Sequence, residues 1–511
     1  MDSQRHLRVF DLHSWIGIAL GLFVFVVSFT GAVALFADEL KTWEDPARRL
    51  GVPMESVSIQ PYLERFIAEK TSRGEVITFL GVWAPSRVEP YYHASLNVRA
   101  SNGELVINER RWNAQSASEL APRGGGLSEW LLDFHRDLMW PKVLGGRQIG
   151  RFLVGLAGVV LLLSIVSGVV VHSKLLRELF TLRYTRQVRL IWQDTHKVLG
   201  LWGLPFYVMI AFTGAFLGVI TLVLPIMAFM VVKGDSDKLI DTMGFGQAAP
   251  SVIEAPMISV DEMLARVDPA TGYKPEAVFA VNWGRENATY DLQYPADTEL
   301  MSAEPQRVNA VTGERVAALA VDDRSAAYRT FNAIAPLHYA TYGGISLKFL
   351  YLVAGLSLAL MAALGNVMWI ERRLHGSEGA RSVAFYRRLS ALNVGVTLGV
   401  GAATVAIFYL DKLYFGPEDL RLRMTGLCYF AVWAAVILYA FARPCAYRAT
   451  RELLAVIGTG LLGLPWLNAL STGVGVGSLL DSGHALTNAT QASPSRSPPV
   501  ARVSLDKRKG A

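Results

Sequence analysis

The chain has 511 residues, 52% hydrophobic and 18% charged, with a formal net charge of +6. That apolar excess excludes an ordinary soluble protein of this length, since several runs reach the ~20 residues needed to cross roughly 30 Å of hydrocarbon. The basic residues gather at the ends of these runs, which suits an anionic membrane surface and argues against a nucleic-acid partner.

Taken in order, Arg5 and Arg8 precede a first apolar helix at about 14–36, so the N-terminus is expected in the cytoplasm. The run is longer than a signal-peptide core and lacks a clear cleavage site, so it is read as a retained helix. A polar stretch follows and must then lie outside. It predicts a helix near Pro61–Lys70 and strands near Val76–Trp83, Tyr91–Arg99 and Glu104–Trp112, with Asn102-Gly103 as a hairpin turn. After the glycine-rich Arg123–Gly126, apolar residues at spacings of three and four over Ser128–Leu138 predict an amphipathic helix on the outer interface. The second crossing is expected at about 149–171, ending at His172, and the third at about 197–222, starting at His196. The basic loop between them, with Lys174, Arg177, Arg183, Arg186 and Arg189, faces the cytoplasm.

The next polar stretch repeats the plan of the first. A helix is expected near Val260–Val267 and strands near Glu276–Trp283, Thr289–Tyr294 and Gln306–Asn309. A fourth crossing follows at about 346–370, then three more at about 389–410, 424–442 and 453–472. The expected fold is therefore a polytopic α-helical membrane protein: a duplicated four-helix core, three C-terminal helices and two small α+β outer domains. Its divisions are 1–36, the first helix; 37–147, the first outer domain; 148–232, two helices and the basic loop; 233–337, the second outer domain; 338–375, the fourth helix; 376–472, three further helices; and 473–511, a Ser/Pro-rich tail expected to be disordered.

The duplication shows in the residues themselves. Asp11, His13, Gly17, Phe23, Phe29, Thr30, Gly31 and Ala32 recur at one constant offset as Asp194, His196, Gly200, Phe206, Phe212, Thr213, Gly214 and Ala215. Apolar helices share Leu and Val by composition alone, but they do not share Asp, His and Thr at fixed spacing that way, so an internal repeat is the reading. Parallel repeats of this kind are related by an axis along the membrane normal.

Five of the nine histidines sit at helix mouths. His13, His172 and His196 fall at the cytoplasmic edge, and His135 and His338 at the outer edge. Two imidazoles on facing helices at one depth are what a six-coordinate b-type haem takes from protein, so these five are the candidate axial ligands of two haem irons. The repeat axis pairs His135 with His338 and His13 with His196. His172 is an alternative partner for His196, and the sequence leaves that choice open. Gly17, Gly21, Gly200 and Gly203 inside, and Gly343 and Gly344 outside, are candidates for admitting a porphyrin. Asp11 and Asp194 either cap their helices or accept an imidazole N–H. Thr30-Gly31 and Thr213-Gly214 read as packing devices, and Trp15, Trp130 and Trp140 as an interfacial belt. Tyr339, Tyr342 and Trp140 are candidates for the outer site. Lys142, Arg147 and Arg151 either anchor the interface or attract an anionic chelate.

Cys428 and Cys445 form no CxxC or CxxCH, which excludes covalent haem and an iron–sulfur cluster. No G-x-G-x-x-G follows a strand and no Walker lysine motif occurs, so an electron donor would lie outside this chain.

Leu12–Gly17 with the Thr30-Gly31 close, Phe134–Leu138, Ser167–Lys174, Asp194–Gly200 and Pro336–Tyr339 together resemble the PepSY-associated transmembrane family, including its iron-regulated members. The resemblance covers about residues 5–375. It implies a bacterial inner-membrane protein whose two outer domains are PepSY-like and periplasmic. Some members are di-haem ferric-siderophore reductases that pass electrons outward to a ferric chelate in the periplasm; for this chain the expected donor is a quinol or a cytoplasmic reductase. The rival expectation is a non-enzymatic membrane-anchored protein whose PepSY-like domains bind a peptide or partner and signal.

Overall fold

The structure, a computed structural model, describes residues 3–44, 56–71, 76–86, 89–99, 105–120, 126–172, 188–233, 250–269, 272–294, 306–316, 326–376 and 380–472. The Asn102-Gly103 turn, most of the basic loop, His484 and the tail lie outside these residues.

The first apolar run forms one continuous helix, α1 (Ser3–Ala34), followed by the short α2 (Ala37–Glu44). The first polar stretch gives α3 (Gln60–Lys70) and strands β1 (Val76–Trp83), β2 (Tyr91–Arg99), β3 (Leu105–Asn113) and β4 (Glu119–Leu120). The amphipathic segment is α4 (Leu127–Asp137), and the second crossing is α5 (Gly146–Val171). The third is broken into α6 (Val188–Trp202) and α7 (Leu204–Val232), bent by 68°. Two residues explain the break. A side chain on Gly203 would run into the Tyr207 ring at 2.1 Å, and Pro205 brings no N–H to the new helix start. Leu20 and Leu22 occupy these positions in the first copy, and α1 runs straight through them.

The second polar stretch gives α8 (Val260–Ala265) and strands β5 (Ala277–Val281), β6 (Thr289–Gln293) and β7 (Gln306–Asn309). Then come α9 (Ala326–Tyr339), α10 (Gly344–His375), α11 (Ala380–Leu413), α12 (Arg421–Ala442) and α13 (Ala446–Thr472). Among the described residues six helices are long and apolar enough to span a membrane, or seven if α6 and α7 count as one broken span.

The two polar stretches do not form separate sheets. All strands belong to one antiparallel sheet in the order β4-β3-β2-β1-β5-β6-β7. The halves meet along β1 and β5, with Leu80 opposite Ala280 and Trp83 opposite Ala277. One core spans the seam, with Leu63, Phe66, Leu80 and Leu96 from the first stretch and Met263, Val278, Tyr290 and Leu292 from the second. Edge pairing satisfies backbone groups that two separate sheets would each leave open.

Polar contacts cross the same seam. The Asp261 carboxylate accepts from the Ile59 N–H at 3.0 Å, the Gln60 N–H at 3.1 Å and the Ser58 hydroxyl, so it caps α3 from the other stretch. In return Gln60 Oε1 accepts the Val260 N–H at 2.8 Å, at the start of α8. Loss of a helix cap costs about 1 kcal/mol, and here each cap also holds the seam. Asp261→Ala is therefore expected to lower the melting temperature of the sheet by several degrees and to raise amide exchange in α3. Exchange unchanged in α3 would mean that this carboxylate does not tie the stretches together.

The C-terminal helices lean on the first half. Trp130 of α4 is fully buried, its ring centroid 4.3 Å from Tyr429 and 4.9 Å from Phe134. It sits against Gly426, where an added Cβ would lie 2.9 Å from its Nε1. Buried Glu44 accepts from the Ser128 N–H at 2.7 Å and from the Ser128 hydroxyl at 2.6 Å, fastening the first turn of α4 to α2. The expectation that Trp130 belongs to an interfacial belt is thus corrected: it is a core residue joining α4 to α12.

Candidate functional site

Two cavities lie at opposite ends of the bundle made by α1, α5, α6–α7 and α10. One, of about 690 Å³, is lined by His135 and His338 and by the ends of α1, α5, α7 and α10 nearest the sheet segments. The other, of about 470 Å³, is lined by His13, His172 and His196 at the far end. Both volumes fall within the roughly 300–1,000 Å³ usual for cofactor pockets. Val24, Leu161 and Leu358 line both cavities and belong to one buried aliphatic layer between them.

The histidines face one another in the pairs expected from the repeat. The His135 and His338 rings are 6.3 Å apart between centroids and nearly parallel, at 17°. The His13 and His196 rings are 6.5 Å apart and steeply inclined, at 76°. A metal ion bonded to both imidazoles at about 2 Å each would hold the ring centres roughly 6 Å apart. His172 lines the same cavity as His13 and His196.

Each paired imidazole has its Nδ1 engaged. His196 Nδ1–H donates to the Met361 carbonyl at 2.9 Å. His13 Nδ1–H donates to the Ser164 carbonyl at 3.0 Å, with the Ser167 hydroxyl equally near. His135 Nδ1–H donates to the Val27 carbonyl at 3.1 Å. His338 Nδ1–H donates to Thr213 Oγ1 at 3.0 Å, because that hydroxyl gives its own proton to the Met209 carbonyl at 2.8 Å. A carbonyl only accepts, and the Thr213 hydroxyl has its proton on Met209, so each neutral ring carries its proton on Nδ1, and among the described residues no hydrogen bond reaches its Nε2. This is the arrangement in which a second hydrogen bond orients a metal-ligating imidazole. α4 and α9 are too short to span, and burial pushes the imidazoles of His135 and His338 well below their ordinary range. Both therefore stay neutral, as ligation requires.

Each ring also lies on a glycine of a neighbouring helix. A Cβ at Gly31 would approach His135 Cε1 to 2.7 Å, and one at Gly214 would approach His338 Cε1 to 3.1 Å. Gly168 stands in the same relation to His13 at 3.2 Å, and Gly365 to His196 at 3.4 Å. The seats respect the duplication. Gly31 and Gly214 are equivalent residues, and Gly168 and Gly365 each lie four residues after the carbonyl that accepts from the imidazole they carry.

Several sequence expectations change here. Thr30-Gly31 and Thr213-Gly214, expected as packing devices, touch the outer histidines. Thr30 Oγ1 lies 3.4 Å from His135 Nδ1. Asp11 and Asp194 are not the Nδ1 partners of His13 and His196, which go to backbone carbonyls one helix away. Gly17, Gly21 and Gly200 line the far cavity, but Gly203 makes the bend of the third crossing, and Gly343 and Gly344 open α10. Tyr339 lines the larger cavity, while Tyr342 reaches it only through its 2.9 Å bond to Tyr351. Trp140 donates to the Leu144 carbonyl at 3.0 Å on the surface. Trp15 is exposed and edges onto Trp369. Lys142 is exposed, Arg147 pairs with Asp133 at 2.6 Å, and Arg151 lines the cavity. His375 stays on its own helix, bonded to the Glu371 carbonyl at 2.9 Å, and His93 stacks on Trp83. Gly168 and Gly365 were missed; their only trace is a small residue at one spacing from an acceptor, a pattern too common in membrane helices to single out. Among the described residues no three His, Cys, Asp or Glu side chains converge as a metal-ion site.

Apolar spans, a duplicated bundle and a small antiparallel sheet define a polytopic, multi-pass helical membrane protein. The chain belongs to the PepSY-associated TM region family, whose model matches residues 10–372. It is similar to the uncharacterized protein PA4219 of Pseudomonas aeruginosa, at 29% identity over 340 residues covering 62% of this chain and 84% of that protein. The matched family region ends with α10, so α11 to α13 stand beyond it.

Proposed function

We propose that the chain is a bacterial inner-membrane electron-transfer protein that holds two b-type haems and reduces a ferric siderophore on the periplasmic side, releasing iron for uptake. His135 and His338 would hold the haem of the larger cavity. His13 and His196 would hold the other, with His172 beside them. The sheet formed by the two PepSY-like stretches would face the periplasm. Haem b supplies a one-electron iron couple when bound. The chain's own residues fix the imidazoles through their Nδ1 bonds, admit a flat macrocycle beside glycine, and exclude water with the Val24, Leu161 and Leu358 layer. No acid, base or nucleophile of the protein is required. Reduction of Fe(III) to Fe(II) weakens the hold of hard oxygen donors, and the electron would come from a quinol or a cytoplasmic reductase.

The observation that supports this reading is the set of four imidazoles, two per cavity, each with Nδ1–H bonded and Nε2 without a hydrogen bond among the described residues. The substrate rests on the resemblance to iron-regulated family members. The test is an oxidised and dithionite-reduced absorption spectrum of the purified full chain, with haem per chain quantified. Two low-spin b-type haems are expected, one of them lost in His338→Ala, and the reduced protein should turn a ferric siderophore into trappable Fe(II). A folded protein that stays colourless when expressed with haem available would overturn the redox reading and leave partner binding by the sheet in its place.

A further inference from the structure

The larger cavity is lined mainly by aliphatic side chains, yet three cations line it as well: Arg136, Arg151 and Lys348. Two have carboxylate partners. Lys348 Nζ lies 2.9 Å from Glu39, and Arg136 pairs with Asp133 and, at 3.6 Å, with Asp137. Arg151 has a buried Nε with no hydrogen-bond partner among the described residues, and so does Arg136. A buried guanidinium N–H left unpaired is costly and calls for an explanation.

The backbone places Arg151 where it is. A Cβ at Gly150 would come within 1.9 Å of the Asp137 carbonyl, so only glycine lets the start of α5 lie on the end of α4. That contact brings Arg151 beside the helix that carries His135, on the lining of the cavity. Arg147, one turn earlier, is already used: its guanidinium reaches Asp133 at 2.6 Å and Asp137 at 3.5 Å. The two aspartates thus take up Arg136 and Arg147, and Arg151 is left facing the ligand space.

We propose that Arg151, with Arg136 beside it, is the carboxylate seat of this cavity: it takes the propionate edge of the haem held by His135 and His338 and fixes which way round the macrocycle enters. The inference rests on the haem reading above. A guanidinium binds a carboxylate through two parallel N–H bonds, and such charge-assisted bonds are the strong ones. The rest of the lining is mostly aliphatic, with Ser28, Asp38, Tyr339, Thr341, Lys348 and Tyr351 as its other polar members.

The test uses the full chain purified from haem-limited cells and titrated with iron protoporphyrin IX and, separately, with its dimethyl ester, which lacks the two charges. Wild type is expected to bind the free acid at least about 10-fold more tightly than the ester at one of its two sites. Arg151→Gln should weaken the free acid at that site by about the same factor and abolish the preference. Arg151→Lys should keep part of it, and Lys142→Gln, at an exposed position outside the cavity, should change nothing. Equal affinities for acid and ester in wild type, or an Arg151→Gln chain that discriminates as wild type does, would overturn the assignment. The wild-type comparison decides the matter even if Arg151→Gln misfolds. A wild-type chain that takes up neither porphyrin overturns the haem reading itself.

Discussion

Gly31→Val is expected to cost the protein the haem proposed for the larger cavity while the chain still inserts and folds. The Cβ that valine adds would lie 2.7 Å from His135 Cε1 and 3.1 Å from Nδ1. A helical valine has nearly one χ1 rotamer, so its methyls cannot swing clear. The imidazole must move off the α1 backbone and lose its 3.1 Å bond to the Val27 carbonyl. Losing such an orienting bond typically lowers metal affinity 10–100-fold, and displacement of the ring adds to that. The four seats give a graded series. Gly214→Val meets His338 at 3.1 Å, Gly168→Val meets His13 at 3.2 Å, and Gly365→Val meets His196 at 3.4 Å. The loss of haem should follow that order and fall on the larger cavity for the first two. Gly458→Ala on α13 is the control, because nothing lies within 4 Å of the Cβ it adds and the residue lines neither cavity. Haem per chain and the reduced spectrum read the outcome; full occupancy in Gly31→Val would show that His135 holds no haem at that seat.

The largest effect on stability is expected at the crossing of α5 and α7. A Cβ on Gly218 would meet Gly155 Cα at 2.5 Å, one on Gly155 would meet the Gly218 backbone at 2.9 Å, and one on Gly158 would meet the Ala211 carbonyl at 2.7 Å. The two backbones touch, which in a membrane is how small residues earn their packing energy. Gly218→Leu has no flexible neighbour to displace, only backbone, so the helices must part. Overpacking of this kind costs about 1–3 kcal/mol, and more where nothing yields. Because Gly158 and Leu161 of α5 and Ala211 and Gly218 of α7 line the larger cavity from both sides of the crossing, that cavity should widen and hold the proposed haem more weakly. Thermal unfolding of Gly218→Leu, Gly155→Leu and the milder Gly155→Ala in one detergent measures the series. A leucine variant that melts with wild type would mean the helices do not approach at this point.

Much of this molecule is legible in residue order because local rules govern it. Apolar runs of membrane length became α1, α5, α7 and α10 to α13, and period-two stretches became β1, β2 and β7 with the residue limits expected. The shared Asp, His, Thr and Gly of the two copies expose the duplication, and the duplication pairs His135 with His338 and His196 with His13, leaving His172 as the alternative inner partner. What the order of residues left open is what depends on contact between distant segments. Whether two polar stretches make one sheet or two is decided by an edge pairing between β1 and β5, and hydrogen bonds along a strand edge carry almost no sequence signature. The break before Leu204 needed the ring of Tyr207 to be seen lying over Gly203. The Nδ1 acceptors of His13, His135 and His196 are backbone carbonyls, which every residue has, so nothing in a side-chain alphabet could point to them. Gly168 and Gly365 matter only for the ring that lies on them, and Arg151 only because its neighbours exhaust the nearby aspartates. The sequence by itself determined the membrane spans, the repeat and the five candidate imidazoles at the helix mouths. The tertiary structure decided which nitrogen of each paired imidazole carries its proton and what surrounds the ring, because tautomer, seat and charge partner are set by groups brought together from remote parts of the chain.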